Sequence, residues 1–338
     1  MHSSDFPSHL SRRKLVAGAG AGGLAAMALF ASAAHAQEAF PTKPLSVVVP
    51  MAPGGSTDYL ARTVAQHLSE ALGKPVVVDN KAGATGAIGT SFVARAPADG
   101  HTLLVAPSSV IVVNPLVSKV SYDTVRDLKP IGLLAKVEVI VVAAKETGFK
   151  TLADMIEYAK KHPGKLTYGS NGQGSAFHLA GEMLGLMAGV EMLHVPYKGA
   201  SLAEAALLSN EINIMVTNTV SAMPYIKSGK VVPLAIASSS GKSRELPEVP
   251  LATETLRGYT ADTWLALYAP AATSDAVIAK LNAAVNDYLR DPQQAAALRS
   301  RGMEPAPGTA DDLQRYQAQE LATWTKVATA LKAARRLE

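Results

Sequence analysis

Three turns carry the residues whose types and spacing could do chemistry. The first, Pro50-Met51-Ala52-Pro53-Gly54-Gly55-Ser56-Thr57-Asp58, follows the apolar run Leu45 to Val49. It leads into Leu60, Val64, Leu68 and Leu72 at helical spacing. Gly54 and Gly55 permit positive φ and leave no side chain above the turn. Ser56, Thr57 and Asp58 are residue types that begin helices. The second turn is Gly83-Ala84-Thr85-Gly86-Ala87-Ile88-Gly89, and the third is Asn171-Gly172-Gln173-Gly174-Ser175. The first N–H groups of a helix lack intrahelical partners and carry the positive end of its dipole, so such turns can capture a carboxylate or phosphate. Any one of them reads equally well as an ordinary strand–helix connection. Their repetition favours a backbone cradle for a small anion.

Other chemistries find less support. Gly83, Gly86 and Gly89 do not have dinucleotide-fingerprint spacing, Gly172-Gln173-Gly174 is followed three residues later by Phe177, and no G-x-x-x-x-G-K-[ST] occurs. Tyr168-Gly169-Ser170-Asn171-Gly172 lacks the first glycine of a nucleophile elbow. A hydrolase would have to pair Ser170 or Ser56 with His178, eight residues after Ser170. The eight histidines form no H-x-H or H-x-x-x-H pair and there is no cysteine, which argues against a metal site. Tyr197 and Lys198 could stack on or pair with an anion, against the simpler reading of a turn with a solvated lysine. Thr217 and Asn218 end a buried run with small polar groups that suit a cleft. Trp264 fits core and cleft equally.

Positioning these turns requires alternating strands and helices. Beyond Leu45, strand-like runs lie at Lys74 to Asn80, His101 to Ala106, Val137 to Ala144, Leu166 to Ser170, Met192 to Tyr197, Ile212 to Thr217, Val231 to Ala237 and Trp264 to Ala269. Three helices close the chain: Asp275 to Arg290, Pro292 to Ser300 behind Asp291, and Ala310 to about Arg335. Thr151 with Asp154, and Thr309 with Asp312, read as capping boxes. The pattern predicts an α/β fold of two parallel or mixed sheets. One would use the strands near residues 45, 75 and 102, the other those near 166, 193, 213 and 232. The runs 137–144 and 263–269 are expected to cross between them. The ligand would then lie between two domains, one made of residues 37–140 and 264–338, the other of 141–263.

With 338 residues, 48% apolar and 18% charged, the chain can form two cored domains. Ser11-Arg12-Arg13-Lys14-Leu15-Val16, the Gly/Ala-rich stretch Ala17 to Ser32 and Ala34-His35-Ala36 read as a twin-arginine-like export signal over residues 1–36, although the general secretory route also fits. Without Arg12, Arg13, Lys14 and Asp5, 29 basic and 27 acidic groups remain of 32 and 28. That balance, with no basic run interleaved with aromatics, excludes an obvious nucleic-acid surface. Without cysteine the exported chain has neither disulfides nor a lipidated cysteine. It is expected in the periplasm, free after cleavage near Ala36, and nothing demands an oligomer over a monomer.

VVPMAPGGSTDYLAR, VVVDNKAGATGAIG, APADGHTLLVA, YGSNGQGSAFHLAGEML and HVPYKGASLAEAAL occur in an order that carries a family likeness. Over residues 40–335 the chain resembles the tripartite tricarboxylate transporter substrate-binding proteins, also called Bug receptors. The resemblance implies a two-domain, type II-like periplasmic binding protein that closes on a small organic carboxylate and hands it to membrane permease subunits, with no cofactor and no catalysis. It implies a first clamp of Gly55, Ser56, Thr57 and Asp58, flanked by Ala84, Thr85 and Gly86. It implies a second clamp of Ser170, Gly172, Gln173 and Ser175, with contributions from His178, Tyr197, Thr217 and Asn218. A sensory receptor docking on a histidine kinase would keep the same cleft, and a periplasmic hydrolase is the remaining alternative. The chain departs from the family's usual pattern at Met51, at Ser209-Asn210-Glu211 and at Glu254 to Thr260.

Overall fold

The β-branched runs form strands and the amphipathic stretches form helices in a computed structural model whose described residues are 40–197, 199–239 and 241–333. The expected export signal and Lys198 lie outside the described residues. The strands are β1 (Leu45–Val49), β2 (Val76–Asn80), β3 (Thr102–Pro107), β4 (Leu128–Val137), β5 (Val139–Ala144) and β6 (Leu166–Ser170). They continue with β7 (Met192–Pro196), β8 (Ile214–Asn218), β9 (Val231–Ile236), β10 (Thr263–Pro270) and β11 (Met303–Pro305). The helices are α1 (Ser56–Leu72), α2 (Ala87–Ala94), α3 (Asn114–Val117), α4 (Leu152–Lys161), α5 (Ala176–Ala188) and α6 (Ala200–Leu208). They continue with α7 (Thr219–Lys227), α8 (Ala252–Thr255), α9 (Asp275–Arg290), α10 (Pro292–Arg299) and α11 (Ala310–Ala333). Both sheets belong to one compact body, Lys43–Glu338.

The first sheet has the order β11-β4-β10-β3-β1-β2 and the second β7-β6-β8-β5-β9. Both are mixed. β1 is parallel to β2 and β3, whereas β10 runs antiparallel to β3 and β4. β6 is parallel to β7 and β8, whereas β5 runs antiparallel to β8 and β9. Among the described residues no single strand is shared by both sheets; the run 137–144 passes from one to the other as expected, whereas the run 263–269 does not. Val137 ends β4 in the first sheet, Glu138 is the whole connection, and Val139 opens β5 in the second. The return passes through residues 237–262, and β10 lies entirely in the first sheet, with Trp264 fully buried. β4 and β11 add to the first sheet two strands absent from the sequence reading.

Caps fix the helix ends as the sequence indicates. Thr151 and Asp154 form both hydrogen bonds of a capping box at α4, an arrangement worth about 1 kcal/mol. Asp291 accepts from the Gln294 N–H at 2.8 Å at the start of α10. Ala176 and Leu179 of α5 share one core cluster with Val48, Leu104 and Trp264 of the first sheet and with Leu313 and Trp324 of α11. The helix that begins at the third glycine turn is therefore anchored on elements of the first sheet. No helix among the described residues is long and apolar enough to cross a membrane.

Candidate functional site

The chain orientation gathers several turns at one edge of each sheet, and Glu138 joins the two edges. β1, β2 and β3 run parallel, so their C-terminal ends, at Val49, Asn80 and Pro107, share one edge of the first sheet. Val137 pairs with Thr263 and Met303 at that same edge. In the second sheet, Ser170, Pro196 and Asn218 end parallel strands beside Val139, where β5 leaves Glu138. Turns at such strand ends are the usual ligand position of α/β folds.

At the first turn, Gly54 has φ +91°, and Gly55 is the extended N-cap of α1. No side chain caps that helix, so the leading N–H groups of Ser56 and Thr57 keep their donors. Nothing lies within 4 Å of where a Cβ would project from Gly54 or Gly55. The buried carboxylate of Asp58 is committed inward. It accepts from the Gly54 N–H at 2.9 Å, Arg62 Nε at 3.0 Å and Asn80 Nδ2 at 2.9 Å. The Arg62 hydrogen bond, helped by those from Gly54 and Asn80, holds its carboxyl below the usual carboxylate range. Asp58 thus shapes the turn that Gly55, Ser56 and Thr57 present.

The second turn is backbone-strained. Gly83, Ala84, Thr85 and Gly86 all have positive φ, at 128°, 48°, 52° and 89°. For Ala84 and Thr85 this costs about 1–3 kcal/mol each, and such strain gathers at functional sites. Asn114, at the start of α3, holds it in place by donating from Nδ2 to the carbonyls of Thr85 at 3.1 Å and Ala84 at 3.5 Å. Gly86 and Gly89 are needed for packing: an added Cβ would lie 2.6 Å from Val110 Cγ2 at Gly86, and 2.8 Å from the Lys81 carbonyl oxygen at Gly89.

The third turn is held from behind by a stack of rings. His194 lies between Tyr168 and His178, with centroid distances of 4.8 and 4.0 Å. Its Nε2 is 2.7 Å from the buried Ser170 hydroxyl, which also bonds to both backbone groups of Gly172. His178 Nδ1 accepts from the Gly174 N–H at 3.1 Å, and the Ser175 hydroxyl accepts from the His178 N–H at 3.2 Å. Burial lowers the pKa of His178 to about 4. Burial, with the neighbouring His178, lowers that of His194 to about 3. Both rings are neutral at pH 7. The sequence pairing of Ser170 with His178 is corrected: His194 is the partner, and Ser170 is fully buried. Gln173 is exposed at the tip of the turn.

The remaining predicted residues divide. The Tyr197 N–H donates to the Ser170 carbonyl at 3.1 Å, which seats the residue after β7 against the third turn, while the Tyr197 hydroxyl reaches Glu211 at 3.3 Å. Asn218 caps α7, accepting from the Ser221 N–H at 2.8 Å. Thr217 is buried with no partner for its hydroxyl among the described residues, and it lines a small interior cavity beneath α6 and α7 with Glu204 and Tyr225. The second and third turns meet through α3: Asn114 holds Thr85, and Val117 Cγ2 would lie 3.2 Å from a Cβ on Gly174. Asn114 and His194 escaped sequence reasoning. Asn-Pro at a helix start and a histidine inside HVPYKG were the available signals.

Residues 60–332 match the profile of the tripartite tricarboxylate transporter family receptor. The chain belongs to that family. It is 34% identical over 295 residues to protein BugT of Bordetella pertussis, covering 86% of this chain and 90% of that one. Among solved structures, an adipate-bound protein from R. palustris superposes with a TM-score of 0.78 at 34% identity, over 86% of this chain and 97% of its own. MatC from Rhodopseudomonas palustris with bound malate gives 0.76 at 31%, over 86% and 100%. The Bug-type resemblance and the two-sheet receptor fold are therefore established.

Proposed function

We propose that this chain is a periplasmic receptor that captures a small organic carboxylate by closing two lobes and delivers it to the membrane subunits of a tripartite tricarboxylate-type transporter. The lobes would follow the two sheets, residues up to 138 with those from 263 onward, and residues 139–262 between them, after removal of an export signal over residues 1–36. The reading rests above all on the uncapped start of α1, where Gly55, Ser56 and Thr57 present backbone donors with open space above them. A carboxylate seated there would take charge-assisted hydrogen bonds at the positive end of a 17-residue helix. Ala84, Thr85 and Gly86 would flank it. Ser170, Gly172, Gln173 and Ser175 would close from the other lobe, with His178 acting behind them and Tyr197 and Asn218 fixing the neighbouring segments. The adipate and malate held by two relatives support an acid of that size.

Binding without turnover fits the third turn, because the Ser170 hydroxyl is enclosed and bonded rather than presented to a substrate. The test is native mass spectrometry of gently purified mature protein, followed by identification of whatever denaturation releases. One bound organic acid per chain is the expected result. A copurified nucleotide or metal ion would overturn the proposal.

A further inference from the structure

A second cavity lies on the flank of the connection between the sheets and shares no residue with the glycine turns. Its volume is about 270 Å³, close to the lower end for small-molecule sites. One wall comes from elements of the first sheet, the end of β4 and the segment Arg299 to Glu304. The other comes from α7 and the segment that follows β9. Several of the lining charges are already engaged. Asp262 accepts from the Ser238 hydroxyl at 2.7 Å and the Ser239 N–H at 2.8 Å, and Arg299 is paired with Glu304 at 2.9 Å. Burial pushes the Glu138 carboxyl up, against hydrogen bonds from Ser243 and Thr219.

Four lining cations are not engaged in this way. Lys227 on α7, and Lys242 and Arg244 after β9, line the cavity, are exposed, and have no acidic partner among the described residues. From the opposite wall comes Arg301, whose guanidinium carbon lies 4.0 Å above the Tyr59 ring centroid. That stacking orients the planar group and leaves its N–H edge available. Six cations and four carboxylates line the cavity: Glu304 is paired with Arg299, Asp262 with Ser238 and Ser239, and Lys136 lies over the Tyr316 ring, which leaves Lys227, Lys242, Arg244 and Arg301 facing Glu138 and Glu245. The two walls also touch beside the cavity. A Cβ on Gly302 would lie 2.8 Å from Val220 Cγ2 and 3.5 Å from the Val220 backbone nitrogen, so only a glycine lets the Arg301 turn sit this close to α7.

We propose that this cavity is a second binding site, taking a small polyvalent anion between Arg301 on one wall and Lys227, Lys242 and Arg244 on the other. An anion spanning both walls would favour the separation at which all four cations reach it. By linkage it would then change the affinity of any ligand whose binding alters that separation.

The test is calorimetric titration of the full mature chain with inorganic pyrophosphate at low salt. Three proteins are compared: wild type, Gly55→Phe, and the rim double variant Lys242→Glu/Arg244→Glu. Gly55 has an ordinary negative φ and open space around it, so phenylalanine covers the first glycine turn without strain. The proposal expects wild type and Gly55→Phe to bind pyrophosphate alike, and the rim variant to lose about tenfold or more in affinity. If charge reversal unfolds the protein, Arg301→Ala with Lys227→Ala should give the same loss. No binding by wild type would overturn the proposal, and so would binding abolished by Gly55→Phe but kept by the rim variants. Because the two sites are blocked separately, failure here leaves the carboxylate reading of the glycine turns untouched.

Discussion

Acidification from pH 7 to pH 5 should destabilise the protein through the stacked imidazoles of His178 and His194. In the folded chain their pKa values are about 4 and about 3, against 6.5 for a free histidine. The unfolded chain therefore binds protons over this interval that the folded chain refuses. The stabilisation is fully present above pH 6.5 and is lost as the pH falls toward the folded values. For His178, with 1% of its surface exposed, linkage gives a loss of about 2 kcal/mol by pH 5, and His194, only partly buried, adds up to a similar amount. At roughly 2 °C per kcal/mol for a chain of this size, the thermal midpoint should fall by several degrees between pH 7 and pH 5. Most carboxylates titrate below that window. The assay is thermal unfolding across the pH range for wild type and for His178→Gln/His194→Gln. The double variant starts less stable, having lost the bonds to Gly174 and Ser170, but its midpoint should change much less over the same interval. A wild-type midpoint that stays flat from pH 7 to pH 5, or an equal fall in both proteins, would refute the reasoning.

Three substitutions probe the turns separately. Gly55→Phe should keep the wild-type melting temperature while abolishing binding of the copurified acid, read by titration. Gly86→Ala places a Cβ 2.6 Å from Val110 Cγ2 at φ +89°, so denaturant unfolding should show a loss of about 2–4 kcal/mol. Asp58→Ala removes the acceptor for Gly54, Arg62 and Asn80. It should cost about 2–3 kcal/mol in chemical denaturation and weaken ligand binding by loosening the Gly54–Gly55 turn.

Much of this architecture was legible because local signals agree with the final fold. Thr151 with Asp154, Asp291 before Pro292, and Thr309 with Asp312 all cap helices where their types and spacing indicate. The glycine turns were legible for the same reason, since Gly54, Gly83, Gly86, Gly172 and Gly174 do adopt positive φ. β4 was not, because Pro130 and Gly132 interrupt the run Leu128 to Val137 and both normally weaken a strand. They are tolerated where the pairing with β10 is itself irregular, with register shifts at Leu265/Ala266 and Leu267/Tyr268. The pairing of Ser170 with His194 was equally hidden. It depends on the parallel register that sets Tyr168 opposite His194 and Ser170 opposite Pro196, a tertiary choice that no local spacing encodes. The hold of Asn114 on Ala84 and Thr85 spans about thirty residues and escaped for the same reason.

The central claim is that backbone donors at Gly55, Ser56 and Thr57 hold a ligand carboxylate. Calorimetric titration of ligand-stripped protein with a panel of small mono- and dicarboxylates, each alongside its methyl ester, tests it most directly. At least one acid should bind with one-to-one stoichiometry and micromolar or tighter affinity, with binding lost in the corresponding ester and in Gly55→Phe. Failure of every acid to bind, or an ester binding as tightly as its acid, would contradict it.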